Sequence, residues 1–237
     1  MANFPFQRLQ ADLSALILST PAGQRLISEP QLAKQMGVSR ATLREAMRTF
    51  ETQGLIRRRQ GAGTFVVGKV PVIEAGLEVL ESLETMAQRM DLMITVSDLY
   101  IDQMEAGKEI AKNLGVPTGT RLTRVRRVMR ADNRPVAYLI DTLPEEILKP
   151  EDLPQRFSGS VLDYLLSSSV DPQVSRADIS ATNAPADVAK ALEIQRDDVL
   201  LHFAAQLYNT TGKVVDYSVS YFIPGYFHFH VVRRVGK

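Results

Sequence analysis

The stretch from Ser28 to Val67 constrains the fold of this chain more than any other. It opens with a Ser-Glu-Pro-Gln pattern, a capping box in which the serine and glutamine side chains are expected to bind each other's backbone N–H groups, so a helix is predicted from Glu29 to Gly37. Ser39 is expected to cap a second helix that ends at Gly54. Two helices joined by so tight a turn form a helix-turn-helix, in which the second helix is presented to a DNA groove.

The second helix carries a cationic stripe beside its apolar face. Arg40, Arg44 and Arg48 recur every four residues, which places them on one side of the helix. Such a stripe can be a solvated surface or a DNA-facing one. Two short basic strands follow, joined by a turn that holds Gly61 and Gly63. The glycines suit an ordinary hairpin turn or a close approach to a sugar-phosphate wall, and the whole pattern predicts a winged helix-turn-helix.

Composition divides the chain into two parts of opposite charge. The 237 residues carry a net charge of +1, but residues 1–70 hold ten basic and four acidic side chains, and the remainder holds 18 basic and 23 acidic ones. A basic first part suits a polyanion. There is no cysteine, no apolar run of membrane-spanning length and no signal peptide pattern, so a cytoplasmic protein without a membrane partner is expected.

The domain boundary is predicted at Gly68–Pro71, giving domains at 1–70 and 71–237. Beyond it, the pattern predicts a helix over 73–90, strands and short helices in alternation, and a last strand over 227–233 that closes the sheet. Strands that follow one another through short turns indicate a largely antiparallel α+β domain.

The first part resembles the DNA-binding domain of the GntR family of bacterial transcriptional regulators. The resemblance rests on LISE at 26–29, LA at 32–33, GVSRATLREA at 37–46, GLI at 54–56 and GAGTFV at 61–66. It implies that the start of the second helix touches bases and phosphates and that the wing glycines approach the minor groove. The implied DNA-binding residues, with the stripe arginine Arg48 added, are Ser39, Arg40, Thr42, Arg44, Arg48, Gly61 and Gly63. Pro30 stands where many relatives carry a DNA-contacting arginine.

The second part resembles the UTRA ligand-binding domain of the HutC subfamily, which shares its fold with chorismate lyase. The matching segments are VRRVMRADNRPVAY at 125–138, SVLDYLL at 160–166 and GKVVDYSVSYF at 212–222. The resemblance implies a pocket for a small metabolite, with Arg127, Ser160 and Tyr221 as pocket residues. On the residues alone, a sheet-face ion pair and a core aromatic are the favoured interpretations of Arg127 and Tyr221.

Three departures from phosphate-binding relatives bear on the effector. Met129 replaces a second arginine, Leu139 replaces a glutamate, and Glu84 lies where those relatives carry a serine or threonine. A lost guanidinium removes a strong anion contact, and a carboxylate repels phosphate. The effector is therefore expected to be less anionic or more apolar than a sugar phosphate.

These features predict a homodimeric transcription factor, a repressor that reads an inverted-repeat operator and responds to a small-molecule effector. Activation by the same architecture is an alternative, as is a chorismate-lyase-type enzyme fused to a DNA-binding head, although no acid, base or nucleophile motif is visible. No cofactor is expected. His228 and His230 could chelate a metal from one strand face, but no spacing supplies a third ligand, so no metal site is predicted.

Overall fold

A computed structural model describes residues 4–59, 61–67, 73–153, 157 and 159–234. The chain forms two compact units. The first, the head, comprises residues 1–72 with 224–228, and the second, the sheet domain, comprises residues 73–223 with 229–237. The predicted hinge at Gly68–Pro71 lies outside the described residues, and the predicted boundary at 70/71 stays a prediction.

The head is a winged helix-turn-helix, as predicted. Its elements are α1 (Phe4–Ser19), α2 (Glu29–Gln35), α3 (Arg40–Thr52), β1 (Ile56–Arg59) and β2 (Gly63–Val66), with β1 and β2 paired as an antiparallel hairpin. Leucines from all three helices meet in one core at Leu13, Leu32 and Leu43, each fully buried. Burial of these apolar faces fixes the relative placement of the three helices.

The two predicted helix caps have different outcomes. Ser39 caps α3 as predicted, because its Oγ accepts a hydrogen bond from the Thr42 N–H at 3.1 Å. The capping box at Ser28 is wrong in its bonding: α2 does begin at Glu29, but the Ser28 hydroxyl donates to Gln31 Oε1 at 2.7 Å and caps no backbone group. The two side chains satisfy each other instead of the helix end.

The sheet domain is built on one six-stranded antiparallel sheet, in the order β4-β5-β6-β9-β8-β7. The hairpin between β5 and β6 turns at Asp132 and Asn133, both with positive φ, as a type I′ turn requires. The elements that begin after residue 72 are β3 (Ile73–Gly76), α4 (Leu83–Arg89), β4 (Ile94–Glu105), α5 (Lys108–Leu114), β5 (Arg121–Ala131), β6 (Arg134–Pro144), a 3-10 turn (Pro150–Asp152), α6 (Val161–Leu166), β7 (Pro172–Asn183), α7 (Ala186–Ala191), β8 (Val199–Asn209), β9 (Val214–Phe222) and β10 (Phe227–His230).

Two predicted elements are corrected. The helix expected over 73–90 is a strand, β3, followed by the shorter helix α4, because Ser82 accepts the Thr85 N–H at 3.0 Å and starts a new helix there. The strand expected over 227–233 does not close the six-stranded sheet. It pairs, as β10, with β3 in a separate two-stranded sheet. Because the sequence pattern predicts a helix where β3 lies, it does not predict this pairing.

Each face of the large sheet carries its own helix. Val125 and Leu143 pack with Val161 and Leu165 of α6, and this side is called the α6 face. Partners across antiparallel strands share a face, and neighbours along a strand alternate. Tyr208 and Tyr217 therefore lie on the other side, the α5 face, where they pack with α5. None of the helices in the described ranges combines the length and apolarity needed to cross a membrane.

Gly54, the residue that ends the DNA-facing helix, is predicted to tolerate no side chain. Its φ is +71°, and a Cβ there would lie 2.1 Å from the Tyr226 hydroxyl oxygen. Gly37 has a similar φ of +68° with nothing within 4 Å. We expect Gly54→Ala to lower the free energy of unfolding by about 1–3 kcal/mol from backbone strain, plus a further loss from the clash. Gly37→Ala, the control, should show the strain alone in denaturant titrations, and equal losses would contradict the clash.

Candidate DNA-binding surface and effector site

A basic groove lies on the head between the start of α3 and the wing. It has a volume of about 580 Å³, and five arginines line it against a single glutamate, Glu29. The arginines are Arg25, Arg40, Arg44, Arg58 and Arg59. The first turn of α3 contains no acidic residue, so the partial positive charge of the helix N-terminus adds to theirs. A surface of this charge suits a phosphate backbone.

The structure brings most of the predicted DNA-binding residues to this groove. Arg40, Arg44, Gly61 and Gly63 line it. Ser39 and Thr42 are exposed at the start of α3, where their hydroxyls are 2.8 Å apart. Arg48, in contrast, is not among the lining residues, and its guanidinium lies 3.8 Å from Glu45.

An ion-pair network orients Arg44, a feature that the sequence analysis missed. Arg44 Nε donates to Glu29 Oε2 at 2.6 Å, although the Arg44 side chain remains 53% exposed. Arg58 Nε lies 3.7 Å from the other Glu29 oxygen and 3.5 Å from Glu51. Arg58 therefore links α2, α3 and β1. The network holds Arg44 at the groove in the absence of a partner. Glu29 and Arg44 are 15 residues apart in the sequence, so only the folded structure shows that Glu29 orients Arg44.

The two wing glycines are needed for different reasons. Gly61 has a φ of +75° with no atom within 4 Å of a would-be Cβ, so its requirement is conformational. A Cβ at Gly63 would lie 2.4 Å from Arg25 Nε, so this glycine makes room for an arginine of the groove. Arg25 reaches the wing through the bridge that pairs it with Phe65.

In the sheet domain, the predicted effector residue Arg127 is buried on the α6 face beside two carboxyls. It is 5% exposed, and its Nη1 donates to Asp141 Oδ2. Burial, and then the neighbouring Asp141, raise the pKa of Asp216 well above its ordinary value. Asp216 Oδ1 accepts the Thr142 N–H at 3.1 Å. Asp141, which contacts the Arg127 guanidinium directly, is its counter-ion.

The ends of two short helices complete this cluster. Ser160 caps α6 by accepting the Asp163 N–H at 3.3 Å, and Ser82 of α4 donates to Asp163 Oδ2 at 2.9 Å. Glu84, in the first turn of α4, has both carboxylate oxygens buried without a hydrogen-bond partner among the described residues. Burial raises the pKa of Glu84 above its ordinary value, and the Arg127 guanidinium opposes that rise.

The sheet register separates Tyr221 from the other two predicted effector residues. Arg127 pairs with Leu139, whereas Tyr221 pairs with Tyr138, the residue just before Leu139 on β6. Tyr221 therefore lies on the α5 face, where its ring is 5.1 Å from that of His202. Leu139 and Met129, two of the noted departures, lie on the Arg127 side and are buried, so apolar walls flank the cluster.

A possible metal-ligand set occurs on the two-stranded sheet. Glu74 joins the two histidines, and one ligand atom each from Glu74, His228 and His230 lies within 4.8 Å of the others, with all three residues exposed. Strand pairing supplies the third donor that sequence spacing did not identify. One carboxylate with two imidazoles is a donor set that zinc accepts, although the prediction that the chain has no metal site stays untested.

Comparison with known proteins gives the family. Residues 5–66 match the description "Bacterial regulatory proteins, gntR family", and residues 91–228 match the UTRA domain. This chain belongs to the GntR family. Its architecture is of the HutC type, a GntR head followed by a UTRA domain. The protein is therefore a DNA-binding transcriptional regulator whose second domain is of the effector-binding UTRA type.

Individual relatives agree with this assignment. The GntR regulator is 30% identical over 200 residues to the HTH-type transcriptional repressor NagR of Bacillus subtilis, covering 82% of this chain and 79% of NagR. It is 28% identical over 189 residues to the histidine utilization repressor of Klebsiella aerogenes, covering 79% and 76%. Among solved structures, PhnF from Mycobacterium smegmatis shares the fold, with a TM-score of 0.66 at 20% identity over 96% of this chain and 100% of PhnF.

Arg44→Ala should weaken binding to operator DNA by about 1–3 kcal/mol, because it removes an oriented guanidinium from the groove. The matched control is Arg8→Ala, which removes the same charge from an exposed site on α1 and should change the affinity less than about twofold. Fluorescence anisotropy with a labelled operator duplex measures both. Equal losses would show that Arg44 contributes only general charge.

The raised pKa of Glu84 predicts a pH-dependent stability difference. A carboxyl whose folded pKa lies above its unfolded value stabilises the fold below the unfolded pKa and loses that stabilisation as pH rises through the folded pKa. Glu84→Gln mimics the protonated form, so its melting temperature should gain on that of the unmodified protein as the pH rises above the ordinary pKa of a glutamate. Glu109→Gln, at an exposed position of α5, is measured alongside it as the matched loss of one glutamate charge. A constant difference for Glu84→Gln would refute the assignment.

Proposed function

We propose that this GntR protein is a cytoplasmic, homodimeric repressor. In this proposal the two heads bind the half-sites of an inverted-repeat operator, and a small molecule bound in the sheet domain changes the operator affinity. The arginine-lined groove carries the proposal, because it places five cations around the start of a capped DNA-facing helix. The relatives NagR and the histidine utilization repressor are both named as repressors, which supports repression over activation.

The proposed DNA contacts of the head are of two kinds, contacts to bases and contacts to the sugar-phosphate backbone. Arg40 and Arg44, at the exposed start of α3, are the proposed base readers, since an arginine reads guanine through two hydrogen bonds in the major groove. Ser39, Thr42 and Gly61 are proposed to contact phosphates or the minor-groove wall. Arg48, which does not line the groove, is proposed to contribute at most to phosphate attraction, together with the wing arginine Arg59.

The proposed effector site is the cluster on the α6 face, with Arg127 and Ser160 as its members from the sequence analysis. A ligand there can shift operator affinity only by preferring one arrangement of the two heads over another. Tyr221, on the α5 face, is proposed to pack with His202 rather than to touch the effector. No nucleophile or positioned acid–base pair accompanies the cluster among the described residues, so the proposal is binding without turnover.

A second copy of the chain is proposed to pair along the outer edge of the large sheet. β7 is an edge strand of 12 residues, and most of them are exposed, including the apolar Val174 and Ile179. A long exposed edge of this kind is a template for pairing with another strand. A homodimer formed there would supply the two heads that an inverted repeat requires.

DNA selected from random duplexes by the full-length protein should converge on an inverted repeat, with half-site centres about one or two helical turns apart. Size-exclusion chromatography with light scattering should give twice the mass of one chain in the same buffer. A selected sequence without twofold symmetry would refute the operator proposal, and a monomer at working concentration would refute the two-headed mechanism. A reporter gene behind the selected operator should be expressed more strongly when the regulator is deleted.

A further inference from the structure

The α6-face cluster contains two buried side chains whose hydrogen-bonding capacity is not used. Both oxygens of Glu84 and the Nε of Arg127 are buried without a hydrogen-bond partner among the described residues. Leaving such groups unsatisfied costs free energy. Within the described residues, the cluster therefore lacks hydrogen-bond donors for the two Glu84 oxygens and an acceptor for Arg127 Nε.

The charge of Arg127 is already paired with a carboxylate. Its Nη1 is already bound to Asp141, and that pair is almost fully enclosed, with 6% and 12% of the two side chains exposed. Gly159 closes the other side, because a Cβ there would lie 2.8 Å from Arg127 Cδ. The Arg127 charge is therefore already balanced by Asp141, and a phosphate beside this pair would add buried negative charge that no further cation in the pair balances.

The charges around the cluster favour a cation. Asp141 and Asp163 are neighbours of Glu84, and among the residues that the structure describes Arg127 is the cation whose charge acts on it. Buried groups of one sign attract a ligand of the other sign more strongly than exposed groups do, because little water screens them. Met129 and Leu139 on the same face are buried and add no charged group.

We propose that the effector of this domain is a small, non-phosphorylated organic amine whose ammonium group binds Glu84 and whose adjacent hydroxyl or carbonyl oxygen accepts from Arg127 Nε. The inference rests on the proposed function, since it assigns a ligand class to the proposed effector site. The ammonium N–H groups supply the donors that Glu84 lacks, and the ligand charge balances the excess of carboxylates. Asp163, fixed by Ser82 and lying at the start of α6, borders the ammonium position.

The test uses three compounds that share a three-carbon skeleton: serinol (2-amino-1,3-propanediol), glycerol and glycerol 3-phosphate. Each is added at millimolar concentration to the full-length protein, and the melting temperature and the affinity for the selected operator are measured. We expect serinol to raise the melting temperature and to change operator affinity. Glycerol 3-phosphate should change neither the melting temperature nor the operator affinity. Glycerol is the control for the general effect of a polyol on both measurements.

Glu84→Gln keeps the side-chain size and removes the charge. It should weaken serinol binding by about tenfold or more, the loss expected for a charge-assisted hydrogen bond, and each variant's response to serinol is measured relative to its own operator affinity without ligand. Glu109→Gln, the control on the α5 face, should bind serinol as the unmodified protein does. Because both variants are tested on the same operator, a folding defect would appear as lost DNA binding.

The outcomes separate the ligand class from the proposed function. If glycerol 3-phosphate shifts both readouts and serinol does not, the domain is an effector domain but the amine assignment is overturned. Serinol binding that survives Glu84→Gln also overturns the assignment. If no compound alters operator affinity, the amine assignment fails for this domain, and a wider metabolite screen without any effect on operator affinity would refute the proposed function itself.

Discussion

The Arg127 guanidinium is almost wholly enclosed by protein, so it must be paired within the sheet domain. The antiparallel register puts Arg127 of β5 and Asp141 of β6 on the same face of the sheet, and α6 covers that face with Val161 and Leu165. A lone buried charge would cost several kcal/mol. The arrangement of carboxyls around the site, including the buried Asp216 whose pKa is raised, follows from this requirement.

The same interaction separates two uses of arginine in one chain. In the head, Arg44 keeps a half-exposed side chain although Glu29 binds it, so an anionic partner can compete for it in water. In the sheet domain, burial makes the Arg127–Asp141 pair too costly to open for an incoming anion. Exposure, more than residue type, therefore determines which arginine is available to a negatively charged partner.

Local patterns were sufficient where neighbouring residues form the structure. Ser39 caps α3 because serine and the Thr42 N–H are three residues apart, and the Asp132–Asn133 turn follows from local backbone preference. The long helix predicted over 73–90 failed because β3 is a strand only through its partner β10, which lies about 150 residues later. Contacts at that separation leave no periodic trace in the local sequence, and the same holds for Glu29 with Arg44 and for Glu74 with His230.

By itself, the sequence determined the winged helix-turn-helix, the basic charge of its second helix and the α+β character of the second part. These are properties of residue type and of spacing within one or two turns. The tertiary structure alone decided that Tyr221 lies on the opposite face from Arg127, that Asp141 already occupies Arg127, and that the oxygens of Glu84 are buried without a partner. Strand register and helix packing set those facts, and both depend on how distant segments bury their apolar surfaces together.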